Sequence, residues 1–181
     1  GCVESNPFQQ GWFVPHDIEG MKALMGEDFF IQELELFFDR TTKDFLWSDY
    51  YNHPNEPDHH VPFLFNYSSK PWLTQKWTRQ ICKVAYGDDV LGLCGNEDVG
   101  QMSAWYIFGV LGFYPACPGS DQYVFGAPYL PYARIALPNG KTLEVKADGV
   151  SDTNRYVKKV LRDGVEFKKL YITHDDLLQG G

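Results

Sequence analysis

Three polar loops contain side chains that can exchange protons or bind a cation, and each loop lies among aromatic residues. They are residues 4–12, residues 52–60 and residues 95–98. Carboxylates, amides and imidazoles on loops at one rim of a helical scaffold suit a sugar pocket whose floor is built from aromatic rings. The sequence therefore predicts that these loops form the functional site.

The second loop is a candidate for binding a cation. Pro54 and Pro57 restrict its backbone, so Glu56 and Asp58 are presented in fixed directions. Oxygen ligands held in this way suit calcium. The same residues also fit a simpler interpretation, in which Glu56 and Asp58 are solvated loop acids and His59 is a capping or core histidine.

Zinc is an alternative metal for this loop, because His53, His59 and His60 all lie in it. A helical zinc motif such as His-Glu-x-x-His uses closer spacing, which these three histidines do not have. A zinc hydrolase stays an alternative interpretation that metal content would decide.

The third loop, Gly95-Asn96-Glu97-Asp98, comes directly before a predicted helix. A carboxylate at that position can cap the helix and interact with the positive end of its dipole. It can also act as a base that activates water. The loop by itself does not decide between Glu97 and Asp98 for the second role.

The tryptophans divide into two groups. Trp77 and Trp105 fall on helical stripes and are predicted to lie in the core. Trp12 lies in a loop, eight residues from Glu4, and is the better candidate for a face on which a sugar ring stacks.

Hydrophobic periodicity predicts helices in the first part of the chain and strands in the last. The predicted helices span residues 27–40, 71–86 and 98–111, with Ser69 as the N-cap of the second. Residues 133–137 and 142–146 alternate around a turn, residues 156–161 and 165–172 alternate around Asp163-Gly164, and Thr173 can cap a short terminal helix. The prediction is a mixed α and β fold, with a helical region in residues 1–130 and a small antiparallel β region in residues 131–181.

Composition excludes some classes of function. The 181 residues include 16 Lys and Arg against 24 Asp and Glu, a net charge of −8, and contain no basic cluster of the kind that neutralises nucleic-acid phosphates. No run of about 18 apolar residues exists to span a membrane. The four cysteines form no Cys-x-x-Cys pair; they are predicted to be buried free thiols, and a Cys82–Cys94 disulfide stays open.

Four motifs in the chain resemble those of the calcium-dependent exo-α-mannosidases of glycoside hydrolase family ninety-two. The motifs are Glu4-x-Asn6-x-Phe8-Gln9-x-x-Trp12-x-Val14-Pro15-His16-Asp17, Asn55-Glu56-Pro57-x-His59-His60, Gly95-Asn96-Glu97-Asp98-x-Gly100-Gln101-Met102-Ser103-Ala104-Trp105-Tyr106, and Leu111-Gly112-Phe113-Tyr114-Pro115 with Pro118-Gly119-Ser120. The resemblance implies that residues 1–130 are the last part of an (α/α)6 helical barrel and that residues 131–181 are a truncated antiparallel β segment.

The resemblance also implies roles for individual residues. Glu4 matches the general acid and Asp98 the general base of an inverting mechanism. Glu56 matches a calcium ligand, and Gln9 is a weaker candidate ligand. The residues that match sugar-contacting positions, or that stand beside the acid and the base, are Trp12, His59, His60, Asn96 and Glu97.

The activity that the resemblance implies is removal of terminal α-linked mannose, above all α-1,2-linked, from mannosides or N-glycans. Its partners would be a mannose-containing oligosaccharide and the remaining domains of a longer parent chain, in the periplasm, the cell envelope or outside the cell. A competing interpretation is that these 181 residues are a catalytically silent structural or carbohydrate-binding fragment.

Overall fold

Helices occupy the first part of the chain and strands the last part. The computed structural model describes residues 1–181. The α-helices are α1 (Pro7–Gln10), α2 (Ile18–Met25), α3 (Glu27–Asp39), α4 (Trp72–Val84), α5 (Gln101–Leu111) and α6 (His174–Leu178). Two 3-10 helices, Glu56–Asp58 and Val61–Tyr67, lie between α3 and α4.

The strands form one three-stranded sheet and two hairpins. They are β1 (Phe113–Tyr114), β2 (Gln122–Phe125), β3 (Tyr132–Ala136), β4 (Thr142–Lys146), β5 (Val160–Arg162), β6 (Val165–Phe167) and β7 (Tyr171–Thr173). The sheet has the order β1-β2-β7, and every pairing in the structure is antiparallel. The predicted mixed α and β class is confirmed. None of the helices is long and apolar enough to cross a membrane.

The three predicted helices are present, with different starting points for two of them. α3 buries the predicted face, which includes Phe30, Leu34 and Phe37. α4 begins after Pro71, so the predicted Ser69 cap is not used. α5 begins at Gln101 instead of residue 98, because residues 98–100 have positive φ angles that a right-handed helix does not accommodate.

The first predicted hairpin is confirmed, and the second is shorter than predicted. β3 pairs with β4 so that Ala133 faces Val145. β5 and β6 pair around Asp163 and Gly164, whose φ angles of 49° and 81° are the positive values that a two-residue type I′ turn requires. β7 leaves this hairpin and pairs with β2, with Tyr123 facing Ile172. Thr173 caps α6 through the side-chain and backbone bonds of a capping box, as predicted.

The three-stranded sheet links the two predicted regions of the chain, because β1 and β2 precede residue 130 while β7 follows it. A division at residue 130 and a closed helical barrel stay predictions. The four cysteines are free, and of these only Cys82 is fully buried.

The core is rich in aromatic rings and lies beneath the polar loops. Trp105 of α5 is fully buried at its centre. Phe63 stacks on Tyr114 with ring centroids 4.6 Å apart, and both rings contact Trp105. The indole Nε1 of Trp105 donates to the carbonyl of His59 at 2.8 Å, so α5 is tied directly to the second polar loop.

Candidate functional site

The first polar loop is clamped in place by side-chain amides. Asn6 caps α1, and Gln9 completes the capping box by accepting the Asn6 N–H at 3.1 Å. Gln9 Nε2 donates to the carbonyls of Ser48 at 2.7 Å and Tyr50 at 2.8 Å, and Asn6 Nδ2 donates to that of Asp49 at 2.8 Å. These bonds fix the loop that carries Glu4 to residues 48–50.

Glu4 is tied to the second loop by its backbone. Its carbonyl accepts Asn55 Nδ2 at 3.0 Å, directly beside Glu56. Glu4 has a φ of 57°, which is uncommon for a residue with a Cβ. Strained backbone of this kind is frequent at functional sites, where surrounding bonds hold it in place. The Glu4 side chain itself is exposed.

Glu56 of the second loop is influenced by acids of the other two loops. Burial raises its pKa most, and the carboxyl group of Asp98, within hydrogen-bonding reach, raises it further. The charge of Glu4 acts in the same direction. The buried Glu56 Oε1 has no hydrogen-bond partner. The carboxyl groups of Asp98 and Glu4, to which the family resemblance assigned the base and acid roles, thus both act on Glu56, the matched calcium ligand.

Asp98 lies on a left-handed turn in front of α5. Asp98, Val99 and Gly100 have φ angles of 48°, 59° and 90°. The turn leaves Asp98 exposed beside Glu56, where water can reach it. Asn96 is also exposed.

Glu97 has a different role from its neighbour. Its carboxylate accepts the backbone N–H of Ser103 at 2.9 Å and the Ser103 hydroxyl at 2.6 Å. These two bonds lower the pKa of Glu97. Glu97 therefore caps the first turn of α5, which corresponds to the capping alternative left open by the sequence.

The histidines of the second loop are buried and hydrogen-bonded. His53 lies between the hydroxyls of Tyr51 and Tyr86, 2.7 Å from each. His59 Nε2 contacts the carbonyl of His53 at 2.9 Å, and His60 Nε2 contacts that of Trp12 at 2.8 Å. His59 and His60 thus hold loops together, and their predicted contact with a sugar gains no support from their positions.

The zinc alternative is not supported by this geometry. Both ring nitrogens of His53 are occupied by tyrosine hydroxyls. No group of three or more His, Cys, Asp or Glu side chains in the chain is arranged to hold a metal ion. The three histidines consequently do not act together as a zinc site.

Trp12 belongs to the core in this structure. It is only 6% exposed and packs against Phe30 and Phe37, with ring centroids 5.8 and 6.0 Å away. Its indole therefore offers almost no open face on which a sugar could stack. Trp12 follows Glu4 in a polar loop, but the aromatic side chains of α3 pack against its indole ring and cover it. The exposed rings near this loop are instead those of Phe8 and Phe13.

The two proposed calcium ligands differ in how well they suit a cation. Glu56 fits, because its buried Oε1 is an oxygen acceptor with no donor beside it. Gln9 fits less well, because its amide already makes three hydrogen bonds. A calcium ion at this position would need ligands beyond the acids of this chain, since they form no three-residue metal group.

Several residues that position the site are difficult to identify from sequence. Asn55, Tyr86 and Ser103 are the examples. Asn55 Nδ2 bonds the Glu4 carbonyl 51 residues away, the Tyr86 hydroxyl bonds the Met102 carbonyl 16 residues away, and Ser103 makes two bonds to Glu97, six residues away. Ser103 had a detectable signal, because it follows Glu97 in the first turn of a predicted helix. Asn55 and Tyr86 had none, since their partners depend on the folding of distant segments.

Glu4 and Asp98 are exposed carboxylic acids on separate loops, and both raise the pKa of Glu56. A pair of carboxylic acids is what a glycoside hydrolase site requires. The comparison with known proteins agrees. The chain belongs to glycosyl hydrolase family 92, since the family's catalytic domain matches residues 1–181.

Solved structures of this family superpose closely on the chain. The family GH92 α-mannosidase BT3965 from Bacteroides thetaiotaomicron is 39% identical with a TM-score of 0.92, over 98% of this chain and 24% of that one. The GH92 inverting mannosidase BT2199 from the same organism is 34% identical with a TM-score of 0.87, over 99% of this chain and 27% of that one.

A curated relative is 28% identical over 98% of this chain and 22% of its own length. It is an uncharacterized secreted glycosidase of Arthroderma benhamiae. The chain thus spans between about a fifth and about a quarter of the length of these relatives.

Proposed function

We propose that the full protein carrying these residues hydrolyses terminal α-linked mannose, with α-1,2 as the linkage cut, in mannosides or N-glycans. The observation that carries the proposal is the match of residues 1–181 to the catalytic domain of family 92. The effect of Asp98 and Glu4 on the pKa of Glu56 agrees with it. The chain belongs to family 92, and the solved neighbours named above are mannosidases, one of them inverting. The substrate would be a mannose-containing oligosaccharide.

In the proposed mechanism Glu4 is the general acid and Asp98 is the general base. Glu4 donates a proton to the departing glycosidic oxygen, and Asp98 accepts a proton from the water that attacks the opposite face of the sugar ring. The anomeric configuration is then inverted, as in glycosidases whose two carboxyl groups leave room for water between them. The exposure of both side chains allows substrate and water to approach.

Glu56 has the position of a binding group in this proposal. Its partnerless Oε1 would coordinate calcium, and calcium when bound would polarise and hold the sugar hydroxyls. Asp98 and Glu4 disfavour a charged Glu56, so a cation beside Glu56 would also relieve the repulsion among the three acids. We also propose that the full protein acts outside the cytoplasm, as a secreted relative suggests.

A second candidate function applies to the 181 residues taken alone, which would be a silent structural or carbohydrate-binding unit. The observation in its favour is that Glu4 and Asp98 both lie at the surface, where this chain supplies nothing to exclude water. Glycosidic chemistry is favoured by sites that exclude bulk water. The rest of the parent chain would then have to complete the pocket.

The test is hydrolysis of α-1,2-linked mannobiose by the full-length protein, with the released anomer followed by NMR. We expect β-mannose first, loss of activity in Asp98→Asn and Glu4→Gln, and normal activity in Asp148→Asn, an exposed acid far from the three loops in sequence. Activity lost to a chelator should return with calcium and not with zinc. Normal hydrolysis by Asp98→Asn would contradict the base assignment, and α-mannose as first product would contradict inversion.

A parallel measurement separates the two candidates. Mannose is titrated calorimetrically into the isolated 181-residue chain, and the same chain is assayed for hydrolysis. Heat of binding without turnover supports the carbohydrate-binding unit, whereas turnover shows that the chain contains a working active site.

A further inference from the structure

The turn that carries Asp98 is flanked by an unusual cap of α5. The carbonyl of Glu97 accepts the Met102 N–H at 3.2 Å, and the carboxylate of Glu97 accepts the Ser103 N–H at 2.9 Å and the Ser103 hydroxyl at 2.6 Å. Glu97 therefore occupies two of the free N–H groups at the start of this helix. A carboxylate at this end is also favoured by the helix dipole.

The residues between Glu97 and the helix are held in a conformation that their own side chains do not favour. Asp98, Val99 and Gly100 follow one another with positive φ angles. For a β-branched residue such as Val99 this backbone is strained. The Val99 side chain is fully exposed, so no packing of its own offsets the strain.

The compensation must therefore come from the two ends of the turn. At its C-terminal end, Asp98 O accepts the Gln101 N–H at 3.2 Å and Gly100 O accepts the Ala104 N–H at 2.9 Å. At its N-terminal end, the Glu97 carbonyl accepts the Met102 N–H, and the two carboxylate bonds of Glu97 to Ser103 are the side-chain contacts that close the turn. Removing the two carboxylate bonds leaves this end of the strained segment held only by the bond from the Met102 N–H to the Glu97 carbonyl.

We propose that Glu97 and Ser103 form a latch that positions Asp98, holding its carboxyl group toward Glu56 and Glu4. Glu97 is then a positioning residue that acts through Asp98, and neither contacts the sugar nor serves as the base. This inference deepens the proposed function and rests on it in one respect, the assignment of Asp98 as the base.

The hydrogen bonds and the pKa of the Glu97 carboxylate agree with a positioning role. Its carboxylate is occupied by two donors from Ser103, and these donors lower its pKa, which makes it a poor proton acceptor. Asp98 has the opposite arrangement, because its side chain is exposed and acts on the carboxyl group of Glu56. The two adjacent acids are thus separated into a capping group and a reacting group.

The test compares three variants of the full-length protein, Glu97→Ala, Glu97→Gln and Ser103→Ala. Thr173→Ala is the matched control, because Thr173 also caps a helix but lies far from the three loops in sequence. The substrate is 2,4-dinitrophenyl α-mannoside, whose leaving group needs no proton and which therefore isolates the base from the acid. We expect kcat of Glu97→Ala to fall about a hundredfold with little change in KM, as a misplaced catalytic group predicts.

The conservative variant provides the rescue. In Glu97→Gln the amide oxygen can accept the Ser103 N–H while the amide nitrogen donates to the Ser103 hydroxyl, so kcat should return to near that of the wild type. Ser103→Ala keeps the backbone bond and should lose less than Glu97→Ala. A rise in KM with unchanged kcat, or equal losses in Glu97→Ala and Glu97→Gln, would overturn the latch.

Hydrogen exchange at the Met102 and Ser103 amides gives a readout that does not depend on activity. Exchange should speed up in Glu97→Ala and stay slow in Glu97→Gln and Thr173→Ala. If the wild-type protein does not cleave α-mannosides, the proposed function fails while this measurement still tests the latch. Equal exchange in Glu97→Ala and the wild type would overturn it.

Discussion

His53 Nε2 lies 2.7 Å from the hydroxyl of Tyr86, and this contact joins the loop that carries Glu56 to the helix that follows Asp98. The Tyr86 hydroxyl donates to the carbonyl of Met102 in α5 at 3.0 Å. The Tyr86 hydroxyl must then accept a hydrogen bond from His53 Nε2–H. Burial holds the pKa of His53 well below its usual value, so the ring is neutral and its Nδ1 accepts the Tyr51 hydroxyl. The chain of bonds therefore assigns a neutral His53 with its proton on Nε2.

Replacing Tyr86 with Phe should loosen the connection between α5 and the second loop. The substitution leaves His53 Nε2 and the Met102 carbonyl without their partner, which costs about 1–3 kcal/mol for a buried group. The free energy of opening of α5, measured by hydrogen exchange in the full-length protein, should fall by that amount. Tyr156→Phe is the control, since Tyr156 is exposed. An unchanged opening free energy in Tyr86→Phe would contradict the assigned bonds.

How far the sequence predicts this site depends on the range of the interactions. Periodicity predicts α3, α4 and the β3–β4 hairpin, because the features that produce them lie within about 15 residues. The meeting of Glu4, Glu56 and Asp98 is predicted only through the family resemblance. No local pattern places residues separated by 42 to 52 positions beside one another.

Trp12 shows where local reasoning fails. A tryptophan among polar residues near Glu4 indicates an open ring, and its burial depends on Phe30 and Phe37 of α3, a helix that begins 15 residues later. Glu97 shows the converse case. Its capping role was one of two alternatives from the sequence, and the choice required the position of Ser103.

Asp58 is a buried acid whose ionisation should weaken the second loop. It is 1% exposed, and burial raises its pKa to about 7. Its Oδ2 accepts the Asn52 N–H at 2.9 Å, whereas its Oδ1 and the Asn52 Oδ1 have no partner. Because the folded pKa exceeds that of the unfolded chain, the stability that the protonated acid confers is present below about pH 4 and is lost as pH rises through about 7.

Asp58→Asn should therefore stabilise the loop at alkaline pH. The amide keeps an acceptor for the Asn52 N–H and carries no charge, so the gain at pH 8 should be about 1–3 kcal/mol. Opening free energies of residues 52–60, measured by hydrogen exchange in the presence of a chelator, provide the check. The gain should be clearly smaller at pH 5 and disappear below about pH 4, and a gain that is equal at pH 8 and pH 5 would indicate a cause other than ionisation.

The buried histidines should make the same loop sensitive to acid. Burial, with the charge of His59 in second place, holds the pKa of His53 well below its usual value, and burial lowers that of His59 to about 4. Since both are depressed in the folded state, the stability that they confer is present above about pH 6.5 and is lost as pH falls below it.

Ionisation of Asp58 makes the loop less stable as pH rises, which is opposite to the effect of the histidines. The effect of the histidines on stability is therefore best measured in the Asp58→Asn variant. The opening free energy of α5 should fall by about 1–2 kcal/mol for each histidine between pH 7.5 and pH 5. His16→Gln, which changes an exposed histidine, should leave the profile unaltered. A flat profile in Asp58→Asn would show that His53 and His59 are not held neutral.

Gly109 allows α5 to approach α4, and replacing it should test that packing. A Cβ at Gly109 would lie 2.7 Å from Cys82 Sγ and 3.4 Å from the Trp105 ring. Cys82 is buried and Trp105 is fully buried, so neither has open space to move into. Gly109→Ala should therefore destabilise α5 by about 1–3 kcal/mol, which is typical of overpacking, and this loss exceeds the helix propensity that alanine adds.

Cys82→Ala removes the sulfur atom and should relieve this clash. In the double variant the loss caused by Gly109→Ala should shrink or reverse, giving a favourable coupling energy of about 1–2 kcal/mol, as expected for residues in direct contact. Hydrogen exchange of α4 and α5 in all four proteins measures it. Leu24→Ala, an exposed site on α2, should show no coupling to Gly109→Ala. Additive losses for Gly109→Ala and Cys82→Ala would mean that the sulfur does not limit how closely the two helices pack.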